Sequence, residues 1–228
     1  MFCTNQRDVL RAVEKELSSQ MSNLQVRREA KQLRSEATRD QIVTSAFECI
    51  RDLGYSRTTM ELVAARAGCT RSGVIYHFGS NKSVLTLAVA SMLSNRLLEV
   101  DLTEVKESGT RTERLVAALH KATQVYAGEE ALVLLDIWIG CRTDPEMREK
   151  LAELVREMND RVVDRWLKAA NLNRLTPEEA GYRVLFRAAM RGLMVESILH
   201  GANDDQEQAK SLLIELGRRT SETSLLNS

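Results

Sequence analysis

The chain has 228 residues, of which 28% are charged and 43% hydrophobic, and acidic and basic side chains balance to a formal net charge of +0. This length allows one large domain or two modest ones, each able to bury a core. Four widely separated cysteines without a C-x-x-C pair indicate neither a zinc site nor a disulfide framework. The sequence shows no secretory start and no apolar run near about 18 residues. We therefore expect a cytoplasmic protein with no membrane partner, cofactor or metal.

Charge is unevenly distributed along the chain. Residues 1–82 contain 13 Lys and Arg against 9 Asp and Glu, whereas the remaining residues contain 19 against 23. A basic surface that contacts nucleic acid would therefore belong to the N-terminal part. The acidic remainder favours cationic or neutral small-molecule ligands, although a solvated acidic surface would account for it equally.

Apolar residues recur at helical spacing, and only two prolines and eleven glycines interrupt the chain, so we predict an all-α fold. Residues 1–34 are predicted to be a basic helical extension that either contacts DNA or is a solvated helix or disordered segment, and Met21 is an alternative candidate for the start. A capping box between Thr38 and Gln41 predicts that the first helix of a compact domain begins there. That helix ends at Gly54.

Two short helices joined by a turn at Gly68 follow, so residues 35–83 are predicted to form a helix-turn-helix domain. The second of these helices, at about 70–78, is rich in small polar residues. A helix of this kind enters the major groove and reads bases with short side chains or Arg from its first turn. The residues of that turn are Thr70, Arg71, Ser72 and Gly73. The residues expected near the phosphates are Tyr76, His77 and Lys82.

This region resembles the DNA-binding domain of the TetR (tetracycline repressor) family. The resemblance is carried, in consistent order and spacing, by Arg39-Asp40-Gln41-Ile42-Val43, Gly54-Tyr55, Thr58-Thr59-Met60, Ala64-Ala65-Arg66-Ala67-Gly68 and Tyr76-His77-Phe78-Gly79-Ser80. In the family this part is a three-helix DNA-binding domain, and the rest is a divergent helical domain that dimerises and usually binds a small ligand. The DNA contacts that the resemblance implies are Thr58, Thr59, Thr70, Arg71, Ser72, Tyr76, His77 and Lys82.

Three positions depart from the family pattern. Cys69 stands where valine is frequent, and Ile75 stands where an aromatic residue is common. Lys82 comes one residue later than the usual lysine, whose place Asn81 takes. The phosphate contact by Lys82 is therefore the weakest of the implied contacts, and His77 has the alternative of packing beneath the recognition helix.

Residues 84–228 are predicted to form a helical effector-binding and dimerisation domain, with a helix at 84–100 linking it to the first domain. The run 131–141 is apolar on nearly every side, so its helix should be buried all round. It either lines an apolar ligand pocket or belongs to an ordinary core. The candidate pocket residues are Tyr126, Leu134, Asp136, Ile137, Trp138, Cys141, Trp166, Phe186 and Met190. Asp136, the one charge in the run, should bind an effector, pair with an arginine such as Arg187, or reach solvent.

The last two predicted helices, 177–200 and about 204–219, carry a second apolar face. We expect them to form a two-fold four-helix interface that sets two recognition helices about 34–36 Å apart on an inverted-repeat operator. The candidate interface residues are Ala188, Ala189, Gly192, Leu212, Leu213 and Leu216.

We therefore expect a homodimeric repressor that a small-molecule effector releases from DNA. The alternative is a DNA-binding or protein-interaction module of the same fold without an effector. An enzyme is not expected, because His77, His120 and His200 lack metal-ligand spacing and the sequence has no glycine-rich phosphate loop or nucleophile elbow.

Overall fold

A computed structural model describes residues 6–107 and 109–226, with side chains described for residues 25, 27–107 and 109–223. These residues form helices and turns, without a strand, so the predicted all-α class is confirmed. The helices are α1 (Gln6–Leu53), α2 (Met60–Arg66), α3 (Arg71–Phe78), α4 (Lys82–Leu98), α5 (Thr103–Glu107), α6 (Arg111–Tyr126), α7 (Glu129–Gly140), α8 (Pro145–Ala169), α9 (Pro177–His200) and α10 (Asp204–Leu226).

Helix α1 runs without a break through the predicted boundary between residues 34 and 35. Its sequence contains no glycine or proline that would end a helix there. Thr38 lies inside the helix, and its hydroxyl donates to the Arg34 carbonyl at 2.8 Å, as mid-helix threonines often do. The capping box predicted at Thr38 and Gln41 is therefore wrong. Residues 1–5 of the predicted extension and the side chain of Met21 lie outside the described residues.

Helices α1 to α4 pack around one core that begins at Ile42 on α1. Ile42, Val63, Val74 and Val89 come from four different helices and are fully buried in it. The side chain of Thr59 caps α2, and that of Thr70 caps α3. Gly68 between these two helices has φ +66°, a left-handed conformation that glycine adopts at little cost. The three-helix domain is thus positioned on the N-terminal half of α4.

The same core continues into the C-terminal part through α7 and α8, which contribute Ile137 and Met147. The segment Lys82–Glu107 is long and apolar enough, by composition alone, to cross a membrane. Here, however, it is divided into α4 and the short helix α5, which was not predicted, and apolar residues of α4 such as Leu93 are buried in the core.

Helices α9 and α10 pack on α6, which completes the C-terminal domain. Capping boxes at Thr110 with Glu113 and at Thr176 with Glu179 start α6 and α9. A Cβ at Gly217 would overlap Leu119 and Tyr182, so this glycine allows α10 to approach both neighbouring helices closely. Helix α7 is not buried all round as predicted, because Leu132 is 37% and Ile139 50% exposed.

Candidate DNA-binding surface and ligand cavity

Helix α3 presents its first turn to solvent and its opposite face to the core. Val74 and Phe78 anchor the helix, with 0% and 2% of their surfaces exposed. The Thr70 hydroxyl accepts a hydrogen bond from the Gly73 N–H at 3.1 Å, which orders the first turn. Arg71, Ser72 and Tyr76 are exposed on the outer side, and Thr70 lies beside them. This is the arrangement a recognition helix needs to reach base edges.

Arg71 is paired with another side chain of the same domain. Its guanidinium donates from Nε to Glu61 Oε1 on α2 at 2.5 Å, and both side chains are largely exposed. The pKa of Glu61 is lowered because its own backbone N–H and the Arg71 guanidinium hydrogen-bond to the carboxylate. The Arg71 guanidinium therefore lies at the surface, beside Glu61 of α2.

Two of the residues implied for DNA contact face the interior. Thr58 is only 4% exposed, and its hydroxyl donates to the Gly54 carbonyl at 2.9 Å. Lys82 is half-buried, its ammonium donates to the Tyr55 carbonyl, and it lies 3.8 Å from the centre of the Tyr55 ring. Burial lowers the pKa of Lys82. Thr58 and Lys82 are therefore removed from the predicted contacts.

The other candidates remain predicted contacts. Thr59 is exposed at the start of α2. His77 is half-buried, and its ring meets the ring of its neighbour Tyr76 on α3 edge-on, with the centroids 5.1 Å apart. The retained set is Thr59, Thr70, Arg71, Ser72, Gly73, Tyr76 and His77.

A cavity of ≈ 230 Å³ lies within the C-terminal domain between α6, α7, α8, α9 and α10. Its wall is mainly apolar and includes five of the chain's ten aromatic residues, among them both tryptophans. Apolar walls with a few placed polar groups are typical of small-molecule sites. The aromatic wall residues are Tyr126, Trp138, Trp166, Tyr182 and Phe186.

The cavity includes only part of the predicted pocket. Tyr126, Leu134, Trp138, Trp166 and Phe186 line it. The predicted pocket residues outside its wall are Asp136, Ile137, Cys141 and Met190. Ile137 and Cys141 lie in the core shared with α1 to α4, and Met190 is buried on α9 without lining the cavity.

Asp136 contacts the turn that follows α1 and does not pair with Arg187. Its Oδ2 accepts a hydrogen bond from the Tyr55 backbone N–H at 2.6 Å. Arg187 donates to Asn159 Oδ1 at 2.7 Å, so the predicted pairing of Asp136 with Arg187 is wrong. Asp136 thus joins α7 to the turn that follows α1.

Four charged residues in the cavity wall were missed. Glu179, Arg183, Arg187 and Arg191 follow one another at intervals of four on α9, a spacing that places them on one helix face. Glu179 accepts a hydrogen bond from Arg111 at 2.6 Å. This spacing is visible in the sequence, but its significance depends on which face of α9 borders the cavity.

An apolar surface covers the side of α9 and α10 that faces away from the domain. Of the thirteen large apolar side chains exposed in the described residues, seven lie here, and we call them the α9/α10 face: Val184, Leu185, Val195, Ile198, Leu199, Leu212 and Leu216. Of the other predicted interface residues, Ala188 and Gly192 are exposed, whereas Ala189 and Leu213 are half-buried.

A three-helix domain with an exposed second helix of a helix-turn-helix, joined to a helical domain with a cavity, is the architecture of a helix-turn-helix DNA-binding protein. Residues 42–89 match the family described as "Bacterial regulatory proteins, tetR family", and residues 106–219 match "Tetracyclin repressor-like, C-terminal domain". The chain belongs to the TetR family of DNA-binding transcriptional regulators, which confirms the resemblance seen in the sequence. Proteins of this family are described as regulators rather than enzymes.

Individual relatives are distant. The chain is 23% identical over 186 residues to the transcriptional regulator CymR of Pseudomonas putida, covering 81% of this chain and 91% of CymR. A solved transcriptional regulator from Rhodococcus sp. Rha1 has a TM-score of 0.61 at 22% identity, covering 78% of this chain and 94% of that one. FadR from Bacillus subtilis, solved in complex with stearoyl-CoA, has a TM-score of 0.55 at 17% identity, with coverages of 78% and 96%. Both structural matches establish a shared fold.

Proposed function

We propose that the protein is a cytoplasmic homodimeric repressor that binds an inverted-repeat operator through α3 and is released by a small-molecule effector. The observation that carries this proposal is the exposed first turn of α3. Thr70, Arg71 and Ser72 are exposed there, and Val74 and Phe78 hold the helix on the core. An arginine there can donate two hydrogen bonds to a guanine edge, while the hydroxyl groups serve base or phosphate.

Dimerisation through the α9/α10 face supports the operator symmetry. Exposed apolar surface that is concentrated on two adjacent helices marks an interaction site. Gly181 and Gly192 have open space around the position of a Cβ, so a second helix has room to approach them closely. Because a two-fold interface uses the same patch on both subunits, it presents two recognition helices to two half-sites.

Release by an effector is supported by helices that contact both the cavity and the DNA-binding domain. On α4, Lys82 contacts Tyr55 while Leu97 lines the cavity. On α7, Asp136 contacts Tyr55 while Trp138 lines the cavity. An effector that binds more tightly to a conformation with the wrong half-site spacing would shift the equilibrium away from the operator-bound form.

The test is selection of bound sequences from a random DNA pool, using the purified chain, Arg71→Ala, and Arg156→Ala as a control that removes an exposed arginine from α8. We expect a palindromic consensus with the wild type and Arg156→Ala. We expect Arg71→Ala to lose about 1–3 kcal/mol at the base it contacts. No consensus with the wild type would reject the repressor and favour a module that binds many sites without an effector.

A further inference from the structure

The cavity wall carries a surplus of positive charge. Three arginines of α9, Arg183, Arg187 and Arg191, line it together with one acidic residue, Glu179. Glu179 is itself 6% exposed and paired with Arg111. Because Arg111 is not part of the cavity wall, the negative charge of Glu179 is already compensated without the wall arginines. The charge facing the cavity is therefore cationic, although the C-terminal part of the chain is acidic as a whole.

None of the three arginines forms an ion pair with any side chain in the described part of the chain. Arg187 donates to the neutral amide of Asn159, and Arg191 lies over the Trp138 ring at 4.7 Å. The Nε atoms of Arg183 and Arg187 are buried without a hydrogen-bond partner. These guanidinium groups thus have unused donors at the cavity.

Unpaired cations at an apolar wall are energetically unfavourable, and the structure reflects this cost. Burial lowers the pKa of Arg183 and Arg191, and Arg187 adds like-charge repulsion to both. Arginine nevertheless remains protonated at neutral pH. Buried charges are normally paired, so a wall of this kind is complementary to an anion.

We propose that the effector is an apolar organic carboxylate, whose charged group binds the arginines of α9 while its hydrocarbon or aromatic body contacts the tryptophans. This inference rests on the proposed function, because it specifies the ligand of the same cavity. It replaces the expectation of a cationic or neutral ligand, which took the charge of the whole C-terminal part as a guide to the charge of the cavity.

Tryptophan fluorescence of the wild-type chain tests the carboxylate directly, because Trp138 and Trp166 are the only tryptophans and both line the cavity. Decanoate and 4-phenylbutyrate are titrated beside decanamide and 4-phenylbutyramide, which keep the apolar body and lack the charge. We expect a saturable change in fluorescence with at least one acid. Its amide should bind at least about tenfold more weakly than the acid. The preferred acid then distinguishes an alkyl body from an aromatic one.

Variants locate the charged contact. Arg187→Met and Arg191→Met should each weaken binding of the acid by roughly tenfold while leaving binding of the amide nearly unchanged. Arg156→Met removes an exposed arginine of α8 outside the cavity wall and should bind the acid like the wild type. Circular dichroism tests whether each variant is folded. If a variant does not fold, the comparison of acid with amide on the wild type remains decisive.

Equal binding of acid and amide, or no response to either acid, would overturn the proposal. The fluorescence assay contains no DNA, so its failure differs from a failure of the repressor hypothesis. Acid binding without a DNA consensus would reject the regulator alone. A DNA consensus with no acid binding would reject the carboxylate effector alone.

Discussion

Arg71 illustrates how a single residue can be positioned before its ligand arrives. The pair with Glu61 lies at the surface, where such pairs contribute little to stability. To contact DNA, Arg71 must exchange the carboxylate for a base or phosphate, and Glu61 would then lie close to the polyanion. The pair therefore opposes DNA binding even though it orients the arginine.

Glu61→Gln should consequently bind the operator more tightly, by about two- to fivefold, because the exposed ion pair with Arg71 no longer competes with DNA. Fluorescence anisotropy with a labelled operator at fixed salt measures this change. Glu153→Gln, an exposed position on α8, controls for net charge. Unchanged or weaker binding would show that orientation of Arg71 by Glu61 outweighs the competition.

Tyr182 gives a pH dependence to the packing of α9 on α10. Its hydroxyl donates to the Leu213 carbonyl, and burial raises its pKa from 10.0 to about 12. The folded chain thus favours the protonated phenol, so this stabilisation is complete below pH 10 and is lost as the pH rises through about 12. Tyr182→Phe should flatten that decline by about 1 kcal/mol, allowing for partial solvent screening. Urea unfolding at several alkaline pH values measures it, with Tyr76→Phe as an exposed control.

The orientations of Thr58 and Lys82 could not have been predicted from their neighbours in the sequence. Thr58 and Thr59 are adjacent and equally able to cap α2, and only packing of the preceding turn buries the first of them. Lys82 meets Tyr55, which lies 27 residues earlier in the chain. The contacts that decide both cases are tertiary.

At the scale of elements, α7 is the clearest difference between pattern and structure. Its apolar run predicts complete burial, but the helix divides its residues between two neighbours and leaves Leu132 and Ile139 partly exposed. Ile137 contacts the core shared with the DNA-binding domain, and Trp138 contacts the cavity. A uniform apolar sequence carries no information on which face meets which partner.

Asp136→Ala tests whether α7 links the cavity to the DNA-binding domain. We expect a loss of about 1–3 kcal/mol in unfolding free energy, because the partly buried Tyr55 N–H loses its hydrogen-bond acceptor. Ligand and operator affinities measured separately should stay near those of the wild type, whereas the ligand-induced loss of operator affinity should fall roughly fivefold or more.

Anisotropy titrations of the operator with and without the ligand give the factor by which the ligand lowers operator affinity. Asp164→Ala, on the exposed side of α8, should have the same factor as the wild type. If Asp136→Ala also has the wild-type factor, the Asp136–Tyr55 contact does not link the cavity to the DNA-binding domain.

At the scale of the molecule, the helical class, the order of the helices and the recognition helix could be predicted, because they depend on local spacing, caps and turns. The extent of α1 was predicted wrongly because Thr38 has the chemistry of a cap, although no glycine or proline interrupts the sequence before it. The cationic side of the cavity also depends on α9 being oriented by α6, α8 and α10 together. Arg183, Arg187 and Arg191 resemble any solvated stripe until that packing is known.

Leu199→Glu tests the proposed dimer. Leu199 is 68% exposed on the α9/α10 face, and two buried carboxylates across a two-fold interface would be strongly unfavourable. We expect light scattering after gel filtration to give the monomer mass, and operator affinity to fall by roughly tenfold or more as the second half-site is lost. Leu33→Glu, 65% exposed on α1, should remain dimeric. A dimeric Leu199→Glu would place the interface elsewhere.

Helix α9 carries the arginines of the cavity on one face and the proposed partner contacts on another. A displacement of α9 caused by one bound molecule would therefore reach the other subunit without passing through the DNA-binding domains. Binding in one cavity of a dimer would then change the affinity of the other, giving a Hill coefficient that departs from unity. Where this coupling is positive, a gradual rise in effector concentration would become a narrow threshold for gene expression.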